Sequence, residues 1–212
     1  LVHRMWVETT VTGASGTTNE HCDVGNALIS SAEVEIGGQR VDKQYGTWMT
    51  MWSELSLPRG QRDGYDSLVG KGCSGSTKLC VPLQFWFCRN PGCALPLIAL
   101  QYHEVRVNVE FGTLKHDDDG SATLASANLY VDYVYLDTDE RRRFAQVSHE
   151  YLIEQLQFTG AETLSSGGKV RLNFNHPVKE LVWHLDSAQE DWGNWAALSG
   201  NVKLQLNGHD RF

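Results

Sequence analysis

No stretch of this 212-residue chain approaches the roughly 20 consecutive apolar residues that span a bilayer, so nothing in it reads as a transmembrane helix. Basic residues are scarce as well. Lys and Arg number 18 against 26 Asp and Glu, a formal net charge of −8. The only dense basic run is Glu140 to Phe144, ERRRF. That balance argues against a general nucleic-acid or anionic-membrane surface, which needs clustered cations to neutralise phosphate. The first residues lack the charged and hydrophobic regions of a signal peptide, so nothing marks the chain for export. Five cysteines, Cys22, Cys73, Cys80, Cys88 and Cys93, are an odd number in a chain long enough to need no staples. With no CxxC knuckle among them, reduced thiols in a cytosol-like compartment are expected rather than a disulfide framework or a zinc site. The chain opens at Leu1 without Met and stops at Phe212 just after a turn, so both ends look cut.

Reactive constellations are missing too. His149-Glu150 begins like the helical zinc motif HExxH, but Ile153 stands where the second His belongs. Asp117-Asp118-Asp119-Gly120 resembles a calcium loop, yet Ala122 occupies the position of the required Gly, and a solvated hairpin tip is the better account. Glu33-Val34-Glu35 places two carboxylates on one strand face, as a glycoside hydrolase would need. The wet face of an amphipathic strand gives the same pattern and is the preferred reading. Trp192 and Trp195 could stack on sugars, or tuck against a sandwich end or a neighbouring subunit. There is no Gly-rich phosphate loop and no nucleophile elbow. No catalytic, cofactor-binding or metal-binding residues are expected, and no cofactor is implied.

What the sequence does contain is period-2 alternation, in one segment after another. Val2, Met5 and Val7 open the chain; Val34 and Ile36 alternate with Glu33 and Glu35; Leu83, Phe85 and Phe87 repeat the pattern. Val105, Val107, Val109 and Phe111 form the longest case, and Leu129, Val131, Tyr133 and Tyr135 another. Later come Leu152 to Phe158, Val170 to Phe174, Leu181 to Leu185 and Val202 to Leu206. Each has one face for a core and one for water. Turn residues punctuate them at Gly37-Gly38, Asn90-Pro91-Gly92, Asp119-Gly120, Ser166-Gly167-Gly168, Asn175-His176-Pro177 and Asn207-Gly208. Many short strands with such turns predict an all-β sandwich or jelly roll. One helical period stands out: Tyr45, Trp48, Trp52 and Leu55, whose aromatic stripe is expected to pack on the core.

The domain organisation follows from a joint and an echo. From Asp137 to Arg143 six of seven residues are charged, too costly to desolvate inside one core and suited to an exposed connection between two. Val34 to Gln39 (VEIGGQ) is answered by Leu204 to His209 (LQLNGH) at an offset of 170 residues, and Val2 and Met5 by Val178 and Leu181 at 176. Two strands repeating in order predict a duplicated β-domain, with separate interiors for Leu129–Tyr135 and Leu152–Phe158.

Several collinear stretches resemble the major capsid proteins of nucleocytoplasmic large DNA viruses, the double jelly-roll family of phycodnaviruses and iridoviruses. They are Ala32 to Gly46, Val81 to Val107, Tyr130 to Gly160, Arg171 to Trp183 and Lys203 to Phe212, about half the chain. The departures lie mostly in loops: Thr9 to Asn26, Arg59 to Lys78, His116 to Ser126 and the Trp192 region. The resemblance implies an all-β double jelly roll with short helices in connections. Residues 1–138 would be a first roll lacking its N-terminal part, 139–149 an inter-roll linker, and 150–212 a second roll lacking its C-terminal part. It further implies a non-enzymatic virion protein forming homotrimers, the pseudo-hexameric capsomers of an icosahedral shell of a large double-stranded DNA virus. Implied partners are the protein itself and minor capsid proteins. There would be no direct nucleic-acid contact and only an indirect link to an internal viral membrane. Assembly would take place in the host cytoplasm. Arg141, Arg142 and Arg143 would be free to pair with carboxylates of the neighbouring roll. Two alternatives remain: a carbohydrate-binding or glycoside-hydrolase sandwich using Glu33, Glu35, Trp192 and Trp195, and a minor capsid or spike protein built on the same roll.

Overall fold

A computed structural model of the chain describes residues 1–14, 23–72, 75–112, 123–163, 168–184 and 202–211. The opening alternation is strand β1 (Val2–Ala14). Val2, Met5, Val7, Thr9 and Val11 are all buried along it. Val2 and Met5 lie three apart rather than two because the register with its neighbour shifts between them. The extra residue of that bulge resets the alternation, so both side chains reach the core. β2 (Ile29–Ile36) and β3 (Gln39–Tyr45) form a hairpin whose tip residues Gly37 and Gly38 have φ of 60° and 81°. Such a two-residue turn demands left-handed backbone, which glycine supplies without strain. β4 (Gly75–Pro82), β5 (Val105–Phe111) and β6 (Thr123–Tyr133) complete two three-stranded antiparallel sheets, ordered β4-β1-β6 and β3-β2-β5.

The apolar faces of the two sheets share one core. Val2, Met5, Val7 and Val81 come from the first sheet, and Ile29, Ala32 and Val34 from the second. Phe85, Phe87 and Met49 fill it from the connections. At about 1.5–3 kcal/mol per fully buried large apolar side chain, this cluster is the main source of cohesion. The all-β expectation holds, with five α-helices and one 3-10 turn (Pro91–Cys93) among the described residues all lying in connections.

Those helices revise three local expectations. Leu83, Phe85 and Phe87 do not continue a strand. β4 ends at Pro82, which has no N–H for a ladder, and Trp86–Arg89 closes into a short helix. A strand would have turned Trp86 outward, whereas the helical turn buries Phe85, Trp86 and Phe87 together. The aromatic helix is present (Gly46–Ser56), but its buried face is Gly46, Met49, Thr50 and Ser53. Trp48 and Trp52 run along its border, stacked 5.6 Å apart, and Leu55 is exposed. Gly46 sets that orientation, because a Cβ there would lie 2.1 Å from the Asn26 carbonyl oxygen and 2.5 Å from that of Ile29. Finally, the charged joint is ordered as a helix, Thr138–Gln146.

In chain order the helices are α1 (Val24–Leu28), α2 (Gly46–Ser56), α3 (Arg59–Val69), α4 (Trp86–Arg89) and α5 (Thr138–Gln146). The strands expected from Leu152 to Phe158, from Val170 to Phe174 and from Leu181 onward are not formed: the backbone over 150–163 and 168–184 makes no sheet ladder among the described residues. A last hairpin, β7 (Gln205–Leu206) and β8 (His209–Asp210), turns through Asn207 (φ 52°) and Gly208 (φ 79°). Its closing pair Leu206↔His209 repeats Ile36↔Gln39 of the β2-β3 hairpin, 170 residues earlier.

Candidate assembly seam

The proposed carboxylate pair resolves into a cross-strand charge ladder. On central strand β2, Glu33 faces Lys43 and Asn108, and Glu35 faces Arg40 and Arg106. Glu33 lies 3.7 Å from the Lys43 ammonium and 3.8 Å from Arg40, and accepts a bond from the Asn108 amide at 3.2 Å. Each glutamate is thus flanked by cations of its own sheet, as on the solvated face of a half-buried strand. Trp192, Trp195 and Asp117 to Asp119 lie outside the described residues, as do Cys22 and Cys73. Cys80, Cys88 and Cys93 are unpaired. Among the described residues no group of three His, Cys, Asp or Glu side chains could hold a metal, and no helix is long and apolar enough to cross a membrane.

The convergence of polar and aromatic groups instead follows α5. Asp137 caps that helix by accepting from the Glu140 N–H at 2.8 Å, while the Glu140 carboxylate accepts from the Asp137 N–H at 3.3 Å. This capping box makes the acidic half of the joint the N-terminus of a helix and the arginine half its continuation, favourable to the helix dipole at both places. Arg142 pairs with Asp139 at 3.7 Å within the helix. His149 then turns back, its Nε2 donating to the Phe144 carbonyl at 2.8 Å and its ring stacked 5.0 Å from Phe144.

Beyond that turn the extended backbone runs beside β3, the outer strand of its sheet. Leu156 N–H donates to Asp42 Oδ1 at 3.1 Å, the Gln155 amide donates to the Val41 carbonyl, and Phe158 meets Tyr45 with ring centroids 5.0 Å apart. Ile153 packs against the sandwich core, whereas Leu152 is 96% exposed and Phe158 62%. The expected separate interiors are therefore not fully separate: Val131 of β6 and Ile153 of the post-helix segment pack against the same core.

The anchor, Asp42, is buried on the inner face of β3 together with Gln44, opposite Val34 and Ala32. A register shift between Val34 and Glu35 leaves Val41 as the extra residue and turns this polar pair inward. Gln44 Nε2 donates to Asp42 Oδ2 at 3.1 Å and to the Gln84 carbonyl at 2.7 Å. Burial pushes the Asp42 carboxyl above its ordinary range, opposed by the Leu156 N–H and the Gln44 amide.

Arg89 completes the seam. Its guanidinium lies 4.2 Å from the centroid of the Trp52 ring, donates to the Gln84 carbonyl at 3.0 Å, and pairs with Glu154 at 3.3 Å. Glu154 also pairs with Lys179, which holds its carboxyl below the usual range. One node thus joins α2, α4, the post-helix segment and the segment carrying Lys179. Sequence reasoning missed Asp42, Gln44 and Arg89. The available signal was two polar residues at i and i+2 in a strand whose hairpin partner is apolar at the facing positions.

A second uncovered feature is β6. Leu129 and Val131 pair with Val7 and Met5 on the inner face. Yet only Val131 packs on the core, and Leu129, Tyr133 and Tyr135 are exposed by 41%, 62% and 92%.

Comparison with known proteins gives matches over the whole chain. The model described as the major capsid protein N-terminus matches residues 1–137, and that of the large eukaryotic DNA virus major capsid protein matches 140–212. The major capsid protein of Pyramimonas orientalis virus is 53% identical over 223 residues, covering 100% of this chain and 56% of that protein. The major capsid protein of Paramecium bursaria Chlorella virus 1 is 37% identical over 250 residues, covering 94% and 56%. A quasi-atomic model of the PBCV-1 virus capsid superposes with a TM-score of 0.75 at 34% identity, over 100% of this chain and 63% of that one. The chain thus spans about half the length of these curated relatives.

Proposed function

The chain belongs to the major capsid protein family of large eukaryotic DNA viruses and has its all-β, double jelly-roll fold; from that premise we propose that it is a non-enzymatic building block of a virion shell. The observation that carries the proposal is the collinear match of the two capsid-protein models, meeting at 137 and 140 at the start of α5. We read residues 1–138 as part of a first roll, 139–149 as the linker and 150–212 as part of a second. The repeated hairpin geometry at Gly37-Gly38 and Asn207-Gly208 supports that division.

The proposed mechanism is self-association. Two similar rolls per subunit and three subunits give a pseudo-hexagonal block, and such blocks tile a flat icosahedral facet. Trimer contacts of that kind bury roughly 2,000 Å² or more and call for stiff bodies with apolar or charge-complementary flanks. The exposed apolar residues of β6 and the cations of α5 are surfaces of those two kinds. Minor capsid proteins would join capsomers, with any internal membrane reached through them and no direct contact with nucleic acid. Assembly would take place in the host cytoplasm.

Full-length protein is expected to form trimers and to be the most abundant polypeptide of purified particles. A monomer in light scattering, a low-copy protein in quantitative mass spectrometry, or turnover of a glycan would each overturn the reading. Reversing the charges at Arg141, Arg142 and Arg143 should weaken trimers, and unchanged trimer mass would remove that role from the helix.

A further inference from the structure

The contacts of the seam close into a ring. Glu154 Oε2 accepts from Arg89 Nη1 at 3.3 Å, and Arg89 Nε donates to the Gln84 carbonyl at 3.0 Å. That same carbonyl accepts from Gln44 Nε2 at 2.7 Å. Gln44 Nε2 also donates to Asp42 Oδ2 at 3.1 Å, and Asp42 Oδ1 accepts from the Leu156 N–H at 3.1 Å. The path leaves the post-helix segment at Glu154 and returns to it two residues later. The Gln84 carbonyl oxygen joins its two arms.

The ring holds a segment that runs parallel to β3. Gln155 bonds Val41 and Leu156 bonds Asp42, both at an offset of 114 residues, and Phe158 meets Tyr45 further along. A peptide added to a sheet edge commonly binds through a backbone ladder, which is indifferent to sequence. Here side chains take that part. The surface therefore reads Ile153 at the core, a carboxylate at Arg89, a backbone N–H at Asp42 and an aromatic ring at Tyr45. Arg89 is only 22% exposed and stacks on Trp52, with its guanidinium 4.2 Å from the ring centroid. That stacking aims its planar fork independently of Glu154.

We infer that the sandwich reads Glu154 and Leu156 as one two-point signal, with Arg89 and Asp42 coupled through Gln44 and the Gln84 carbonyl, and that this ring fixes the place and direction of the segment that begins the second roll. This assignment rests on the two-roll reading, which makes residue 150 the start of that roll. Arg89 is then a positioning residue for the Leu156 amide, which it cannot bond itself, since a guanidinium offers no acceptor.

Hydrogen exchange of the Leu156 amide in full-length protein tests this. Arg89→Lys keeps the charge that Asp42 feels but gives up the fork that serves Gln84 and Glu154 at once. It should speed exchange at Leu156 at least about fivefold, while amides of β2 keep their wild-type rates. With Gln44→Met in place the route between the arms is cut, and adding Arg89→Lys should then change the Leu156 rate less than about twofold. Unchanged exchange at Leu156 in Arg89→Lys overturns the inference. So does equal acceleration in β2, which would make Arg89 a contributor to global stability alone. A full fivefold effect of Arg89→Lys that persists beside Gln44→Met overturns it too. Failure of the two-roll reading looks different, because wild-type amides of 168–184 would then exchange at unfolded-chain rates with Leu156 still protected.

Discussion

The residue most out of keeping with its surroundings is Asp42, a carboxylate on the inner face of a sandwich. It serves the backbone N–H of Leu156, which no ladder strand satisfies, and the Gln44 amide. Asp42→Ala leaves two buried donors without acceptors and should cost about 1–3 kcal/mol in denaturant unfolding, with faster proteolysis between 150 and 158. Its pKa is raised by burial, so the proton is bound more tightly in the folded than in the unfolded protein. The stability this group contributes therefore grows as pH falls through its folded pKa and is lost as pH rises through it. Asp42→Asn should flatten that part of the stability profile, and an unchanged slope in denaturation midpoints from neutral to acid would refute the assignment. Cys88 is the converse case of a reactive group made inert. Burial pushes its thiol up to about 12, leaving roughly one thiolate in ten thousand at pH 8. Iodoacetamide should label it orders of magnitude more slowly in the native than in the urea-unfolded protein, read by peptide mass spectrometry. Cys88 could not be singled out in the sequence, because its burial comes from a helical turn, and Asp42 was marked only by its i, i+2 spacing with Gln44 opposite an apolar partner strand, its inward direction being set by a bulge.

At the scale of elements, period-2 alternation located β1, β2, β5 and β6, because each lays a run of Val, Ile or Leu on one face. It failed at 83–87, where three consecutive aromatics are buried and only a helical turn can point them all inward. It also placed Trp48 and Trp52 on the core side of α2. The true inner stripe, Met49, Thr50 and Ser53, is more polar, and the close approach at Gly46 turns it inward. That approach yields a sharp expectation. Gly46→Ala forces a methyl against the carbonyls of Asn26 and Ile29, backbone atoms that cannot rotate away. Overpacking of this kind costs about 1–3 kcal/mol, despite alanine's better helix propensity. A thermal midpoint at or above wild type would show that α1 and α2 are not held this closely. The charged joint is legible as a connection from its charges, whereas its helicity is carried by the Asp137–Glu140 capping box.

At the scale of the whole molecule, family, fold class and repeated hairpin were all readable from the chain, since each is carried by residues close in sequence. The seam was not. Asp42 and Leu156 are 114 positions apart, and Arg89 and Glu154 are 65 apart. The same scale governs what the chain does with its uncovered surface. β6 lies at the margin of its sheet with inner-face Leu129 and outer-face Tyr130 both more than two-fifths exposed, and with Tyr133 and Tyr135 further out still. An open strand edge beside contiguous apolar side chains is a template for pairing with another chain. The net charge of −8 opposes association only at long range and is screened beyond about 8 Å at physiological salt. Short-range burial should therefore win once ions are present. Expressed by itself, the 212-residue chain is expected to self-associate, increasingly so with added salt, and to bind a hydrophobic dye. Leu129→Lys together with Tyr133→Lys should restore a monodisperse species. Light scattering that found the unmodified chain monomeric at every salt concentration would mean that the β6 face is not adhesive, and would remove it as a candidate contact in capsomer assembly.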